Sequence, residues 1–256
     1  MNRTGLIVAL IIALVVGLVF GFYPELDLAV AAQFHKIVDA QNNAFAWRVY
    51  PPAMLVRDIG LWIGTVLVLP AVLALAIKLL LPRRKLLMSG RAILFLTMTM
   101  ALGPGLLVNV ALKDHWGRSR PIDVQQFGGT DRFVAWWDPR GDCPNNCAFV
   151  SGDVSGAFWT LAPASLAPPQ WRALAYTAAL ALGVGMAALR VMAGAHFVSD
   201  AVFAGVFTFL IVWLMHGLIY RWPRTRLSDE GVERALERIG TPGYELILRL
   251  FGRGKK

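Results

Sequence analysis

Acidic charge is scarce in this chain: 16 Asp and Glu stand against 25 Lys and Arg, for a formal net charge of +9 over 256 residues. Low-complexity tracts, evident repeats and nucleic-acid motifs are missing, so the basic excess is not read as a nucleic-acid footprint. Dense sets of His, Cys, Asp and Glu at ligand spacing are missing too, which argues against a metal centre. The chain is also short of polar surface. With 57% hydrophobic residues and a mean hydropathy of +0.56, it cannot cover a soluble domain of this length.

What is there instead is a series of apolar blocks. A membrane-crossing helix needs about 20 apolar residues. Six runs approach that: Gly5–Tyr23, Met54–Leu81, Ala92–Leu112, Ser151–Ala167, Trp171–Leu189 and Phe197–Tyr220. The first is read as an uncleaved span, because no small-residue cleavage site follows it. The fold class expected is therefore an all-α integral membrane protein with about six transmembrane helices. Residues 1–220 form the membrane domain, with 24–50 as an interfacial amphipathic helix and 113–150 as an outer loop; 221–256 form a basic tail.

Orientation follows from the short loops. Arg83, Arg84, Lys85 and Arg91 lie between the second and third spans, Arg172 between the fourth and fifth, and Arg221, Arg224 and Arg226 after the sixth. With both termini cytoplasmic, all of these fall on the cytoplasmic side, as the positive-inside rule requires. Lys113–Val150 and the turn Arg190–Phe197 then face outward, at the periplasmic rim of a bacterial inner membrane. Cys143 and Cys147, in "CPNNC", would lie in that oxidising compartment and are read as a disulfide that stiffens the approach to Ser151.

The outward segments carry most of the polar residues that a membrane protein does not need. "KDHWGRSRP" supplies Lys113, Arg118 and Arg120; "SGD" supplies Ser151, Gly152 and Asp153; "RVMAGAHFVSD" supplies Arg190, His196 and Asp200. Converging cations fit a phosphate group, because arginine offers a planar fork and lysine a compact charge. Ser151-Gly152 at a helix N-terminus would add backbone N–H donors. His196 and Asp200 are four apart and share a helix face, so the carboxylate can hold one ring nitrogen and leave the other as nucleophile or base. Each residue also has a plainer role open to it: snorkelling arginines, a helix-end histidine, belt aromatics at Trp116, Trp136, Trp137 and Trp159. His35 reads as solvated and His216 as a packing residue. Arg57 and Asp58 sit as costly charges in the second span, paired with each other or with the site rim.

Two of these motifs carry a resemblance. "KDHWGRSRP" fits Lys-x6-Arg-Pro and "RVMAGAHFVSD" fits Arg-x5-His-x3-Asp, so the region from about Leu61 to Tyr220 resembles the type 2 phosphatidic acid phosphatases. The resemblance implies a lipid phosphatase that needs no metal or cofactor. In that scheme His196 attacks phosphorus to give a phosphohistidine, and Asp200 orients it. Lys113, Arg120, Arg190, Ser151 and the Gly152 amide bind the phosphate oxygens. The family's second motif, Pro-Ser-Gly-His, reads Val150-Ser151-Gly152-Asp153 here, so its acid falls to Asp153, to His115, or to water. The implied substrate is a phosphorylated membrane lipid, with lipid A favoured over phosphatidic acid, phosphatidylglycerol phosphate and undecaprenyl pyrophosphate. A lipid phosphotransferase and a non-catalytic phospholipid-binding protein are the competing readings.

Overall fold

A computed structural model describes residues 3–39 and 42–251. Among them, five helices are long and apolar enough to cross a membrane, where the sequence suggests about six. They are α1 (Arg3–Phe22), α3 (Pro51–Leu80), α4 (Gly90–Met100, continuing through Leu112), α7 (Pro169–Met192) and α8 (Val198–His216, continuing through Arg221). The remaining apolar run is broken. It forms α5 (Gly152–Trp159) and α6 (Leu161–Leu166), hinged at Thr160. Pro163 cannot donate to the turn before it, which ends α5, and the Thr160 hydroxyl donates to the Ala157 carbonyl at 2.6 Å instead. Each half is much shorter than the hydrocarbon core, and α5 packs among α3, α7 and α8.

The segment 24–50 is not the single amphipathic helix expected. Helix α2 covers only Glu25–Ala32; an antiparallel pair follows, β1 (His35–Asp39) with β2 (Asn42–Phe45). Phe45 explains the departure. It is buried to 1% exposure, and its ring fills the space beside Gly194, where an added Cβ would meet it at 2.3 Å. Gly194 has φ +61°, a conformation glycine adopts without strain. The hairpin is thus held against the α7–α8 turn that carries His196. His35 is half-buried between the Phe45 and Phe127 rings, at 5.3 and 5.1 Å, rather than solvated.

Helix α4 starts at Ser89, whose hydroxyl accepts from the Ala92 N–H at 3.3 Å. Over Ala101–Leu112 it widens into π-type turns around Pro104, which lacks an N–H. Lys113 is the residue on which this stretch ends. Trp159 is a core residue and not an interfacial one: it is fully buried and donates to Thr99 Oγ1 at 2.9 Å. Trp116 and Trp136 stack on Phe149 inside the fold. His216 lies among the Phe95 and Tyr220 rings. The tail forms α9 (Asp229–Phe251), clamped to the start of α4 by Asp229 with Arg91 at 3.0 Å and to α3 by Glu233 with Lys78 at 3.1 Å. Residues 252–256 of the expected tail lie outside the described residues.

Candidate active site

The three motifs come together at one end of the bundle. Lys113 arrives from the end of α4, Arg120 from the loop after it, Ser151 to Asp153 from the start of α5, and Arg190 and His196 from either side of the α7–α8 turn. The charges of Arg190, Arg120 and Lys113 all act on the His196 ring.

His196 is buried to 2% exposure. Its Nδ1 lies 2.8 Å from the Ala148 carbonyl oxygen. A carbonyl only accepts, so Nδ1 carries the proton and Nε2 keeps its lone pair. Burial first, then repulsion by Arg190, Arg120 and Lys113, holds this ring well below the ordinary histidine range. It is a neutral imidazole at pH 7, which is the form a nucleophile requires.

The expectation that Asp200 holds the His196 ring is corrected here. Asp200 accepts from the Phe197 N–H at 2.8 Å and from Arg118 Nη1, so it caps the start of α8 and fixes the backbone beside His196. Arg118 is not a phosphate ligand in this arrangement. It is fully buried, donates to Ser199 Oγ at 2.8 Å and to Asp27 Oδ2 at 2.8 Å, and lies 4.5 Å from the Phe197 ring centroid. Asp27 closes the network by accepting from the Ser199 N–H at 3.1 Å. Nothing in the spacing of Asp27 marked it, because its partners are 91 and 172 residues away.

Lys113 and Arg120 are tied to one residue that the sequence reading missed. Lys113 Nζ donates to Asn146 Oδ1 at 3.0 Å, and Arg120 Nη2 donates to the Asn146 carbonyl at 2.8 Å. Asn146 adopts φ 48°, which asparagine tolerates better than most residues. It sits inside the ring closed by the Cys143–Cys147 disulfide. Burial, followed by the charge of Arg120, lowers the Lys113 ammonium from its usual range; burial also lowers Arg120. Gly152 lets the pieces meet, since a Cβ there would lie 2.9 Å from Asn109 Oδ1 and 3.4 Å from Lys113 Nζ. Ser151 is buried and caps α5, its hydroxyl accepting from the Val154 N–H at 3.5 Å.

Asp153 has a different setting from the acid expected of it. Arg57 Nε donates to its Oδ2 at 2.7 Å, and Arg190 Nε lies 3.1 Å from the same oxygen. Burial pushes the carboxyl up, but the Arg57 hydrogen bond and the charges of Arg190, Arg57 and Lys113 outweigh it and hold Asp153 below the usual carboxylate range. A group held ionised in this way has no proton to give. His115 is tied elsewhere, its Nδ1 on the Val110 carbonyl at 3.1 Å. Arg190 Nε is in ion-pair range of Asp153 without a hydrogen bond aimed at it, which leaves a guanidinium with spare donors. Among the described residues no group of three or more His, Cys, Asp or Glu is placed to hold a metal.

Four cations around one carboxylate and one neutral histidine, at the end of a helical bundle, form an arrangement that can bind an anion beside a group able to act as a nucleophile. That is the site architecture of a membrane-embedded phosphate-handling protein. The chain belongs to the PAP2 superfamily, whose model matches residues 92–226. It is 32% identical over 228 residues to the "Lipid A 4'-phosphatase" of Francisella tularensis subsp. novicida (strain U112), covering 86% of this chain and 98% of that one. It is also 40% identical over 104 residues to the protein of the same name from Rhizobium leguminosarum, a match spanning 41% of this chain and 45% of that one. A "Lipid A 4'-phosphatase" of Rhizobium etli is similarly alike, at 40% identity over 101 residues. No solved structure matches the chain.

Proposed function

We propose that this chain is a lipid phosphatase of the bacterial inner membrane. It removes a phosphate from a lipid headgroup at the periplasmic face, with lipid A the favoured substrate. The observation that carries the reading is His196: neutral, pinned through Nδ1 to Ala148, and ringed by Lys113, Arg120 and Arg190. The relatives' names and the distribution of loop cations support the substrate and the orientation.

In the first step His196 Nε2 attacks phosphorus and the ester P–O bond breaks. Lys113, Arg120 and Arg190 neutralise the developing charge on the phosphoryl oxygens, with Ser151 and the Gly152 amide at the α5 N-terminus. The proton stays on Nδ1, held by its hydrogen bond to the Ala148 carbonyl. The leaving oxygen takes its proton from water, since Asp153 is held ionised by two arginines. In the second step water attacks phosphorus, the P–N bond breaks, and inorganic phosphate leaves with the histidine returned to its neutral form, while the proton lost by the attacking water neutralises the hydroxide left by the first step. No metal enters either step.

Phosphate release in detergent from lipid A, phosphatidic acid and undecaprenyl pyrophosphate, with EDTA present, tests this. Release by the wild type that disappears in His196→Ala is the expected result. Release that survives His196→Ala, or that EDTA abolishes, refutes the mechanism.

A further inference from the structure

Below the site, a cavity of about 500 Å³ lies between α3, the α5–α6 break and α7. Its lining is apolar or small apart from one hydroxyl: Ile63 and Leu67 on α3, Thr160 and Ala164 at the break, Ala178 and Leu182 on α7. The same three elements carry the trio at the site, Arg57, Asp153 and Arg190. The residues connecting trio to cavity fall on one face of each helix. On α3 the sequence runs Arg57, Gly60, Gly64, Leu67; on α5 it runs Asp153, Gly156, Thr160; on α7 it runs Arg190, Met186, Leu182. Steps of three and four residues keep each face continuous.

The connecting stretch is built from residues with little or yielding side chain. Gly156 has no neighbour within 4 Å of where its Cβ would be. Beside Gly60 the methyl of Met186 stands where a Cβ would go, at 2.5 Å, and a methionine end can rotate aside. At 1.5 Å per residue the cavity begins about 9 Å below Arg57, about 10 Å below Asp153 and about 12 Å below Arg190. The volume falls within the usual range of roughly 300–1,000 Å³ for a ligand site.

We infer that this cavity holds an acyl chain of the substrate whose phosphate sits at His196, with the chain descending past Gly60, Gly156 and Met186 between α3 and α7. The inference rests on the phosphatase reading and deepens it. The substrate is then a phosphomonoester lipid whose acyl chain leaves the headgroup near the trio and crosses the connecting stretch before entering the cavity about 10 Å below. The occupant is a hydrocarbon chain because Thr160 gives its hydroxyl to the Ala157 carbonyl, leaving the wall with no donor to offer a polar ligand.

The test uses full-length His196→Ala in bilayers and a phosphatidic acid carrying a diazirine near the middle of one acyl chain. A phosphatidylcholine with the same chain serves as the control for general contact with lipid. The phosphatidic acid probe is expected to label the peptide spanning 160–182 more strongly than the control does, and unlabelled phosphatidic acid is expected to compete it away. Equal labelling by the two probes, or labelling confined to other helices, overturns the inference. In parallel, Ala178→Trp narrows the cavity at an exposed position in an otherwise active protein. It should lower the kcat/KM ratio of long- over short-chain substrate by about tenfold, the loss for ejecting roughly two methylenes; an unchanged ratio counts against the inference. Competable labelling of 160–182 by a protein whose wild type releases no phosphate sustains the cavity and overturns the hydrolase reading instead.

Discussion

Arg57 Nε and Asp153 Oδ2 are 2.7 Å apart, and the bond joins α3 to the first turn of α5 across 96 residues of sequence. It places a second-span arginine in the anion site and gives the aspartate of the second motif a fixed charge. The same carboxylate oxygen is within 3.1 Å of Arg190 Nε. Asp153 therefore organises two cations instead of shuttling a proton.

Arg57→Ala is expected to lower kcat/KM about 10- to 100-fold, as misplacing a positioned group does. Asp153→Asn should lower activity to a similar extent, since it breaks the same ion pair, and an alkaline limb of the pH–rate profile seen in the wild type should persist. Loss of that limb in Asp153→Asn would show that Asp153 is the acid after all.

The pH dependence has a definite sign. Attack needs neutral His196, and its pKa is held well below the ordinary 6.5 by burial and by Arg190, Arg120 and Lys113. Activity is lost as pH falls through that depressed value, so the acid limb of kcat/KM should lie below pH 6.5. A limb at or above this value contradicts the environment described.

Asn146 connects the disulfide to Lys113 and Arg120, the phosphate ligands proposed above. Reduction, or Cys143→Ser with Cys147→Ser, frees the ring that holds Asn146 against Lys113 and Arg120. KM should rise several-fold with a smaller effect on kcat. Asn146→Ala should do the same with the disulfide intact. Thiol alkylation without reductant should label neither cysteine.

Arg118, Asp27, Ser199 and Asp200 form one buried polar network, and removing a member strands the others. Arg118→Met leaves two carboxylates without their guanidinium and should cost about 3–5 kcal/mol of stability. Thermal or denaturant unfolding in detergent measures it. Arg118→Met that retains full stability would show that the network carries little.

Much of the candidate site was legible as motifs because its residues lie close together in sequence. Lys113 and Arg120 lie seven residues apart, His196 and Asp200 four apart, and Arg190 six before His196; chemistry written at fixed spacing survives in one dimension. The cysteine spacing was equally readable. Asp200 was placed in the right neighbourhood and given the wrong neighbour. Helical spacing puts it on the His196 face, but the start of α8 leaves its oxygens on the Phe197 N–H and Arg118. Arg57 reads as a costly charge paired with Asp58 or with the site rim, and it pairs with both, but which rim residue it meets is not written along the chain.

The sequence by itself determined that the chain is helical and membrane-embedded, because burying backbone in hydrocarbon requires long apolar helices and their lengths can be counted. It also singled out the charged residues on which the proposed phosphate chemistry rests, because charge in such a chain is expensive and is kept where it has a use. Tertiary structure alone decided how those charges are shared. The hairpin held by Phe45 against Gly194 and the pairings Arg57–Asp153, Arg118–Asp27 and Lys113–Asn146 all depend on which helix faces meet. Packing fixes those meetings through contacts far apart in sequence, and no local pattern of residues encodes them.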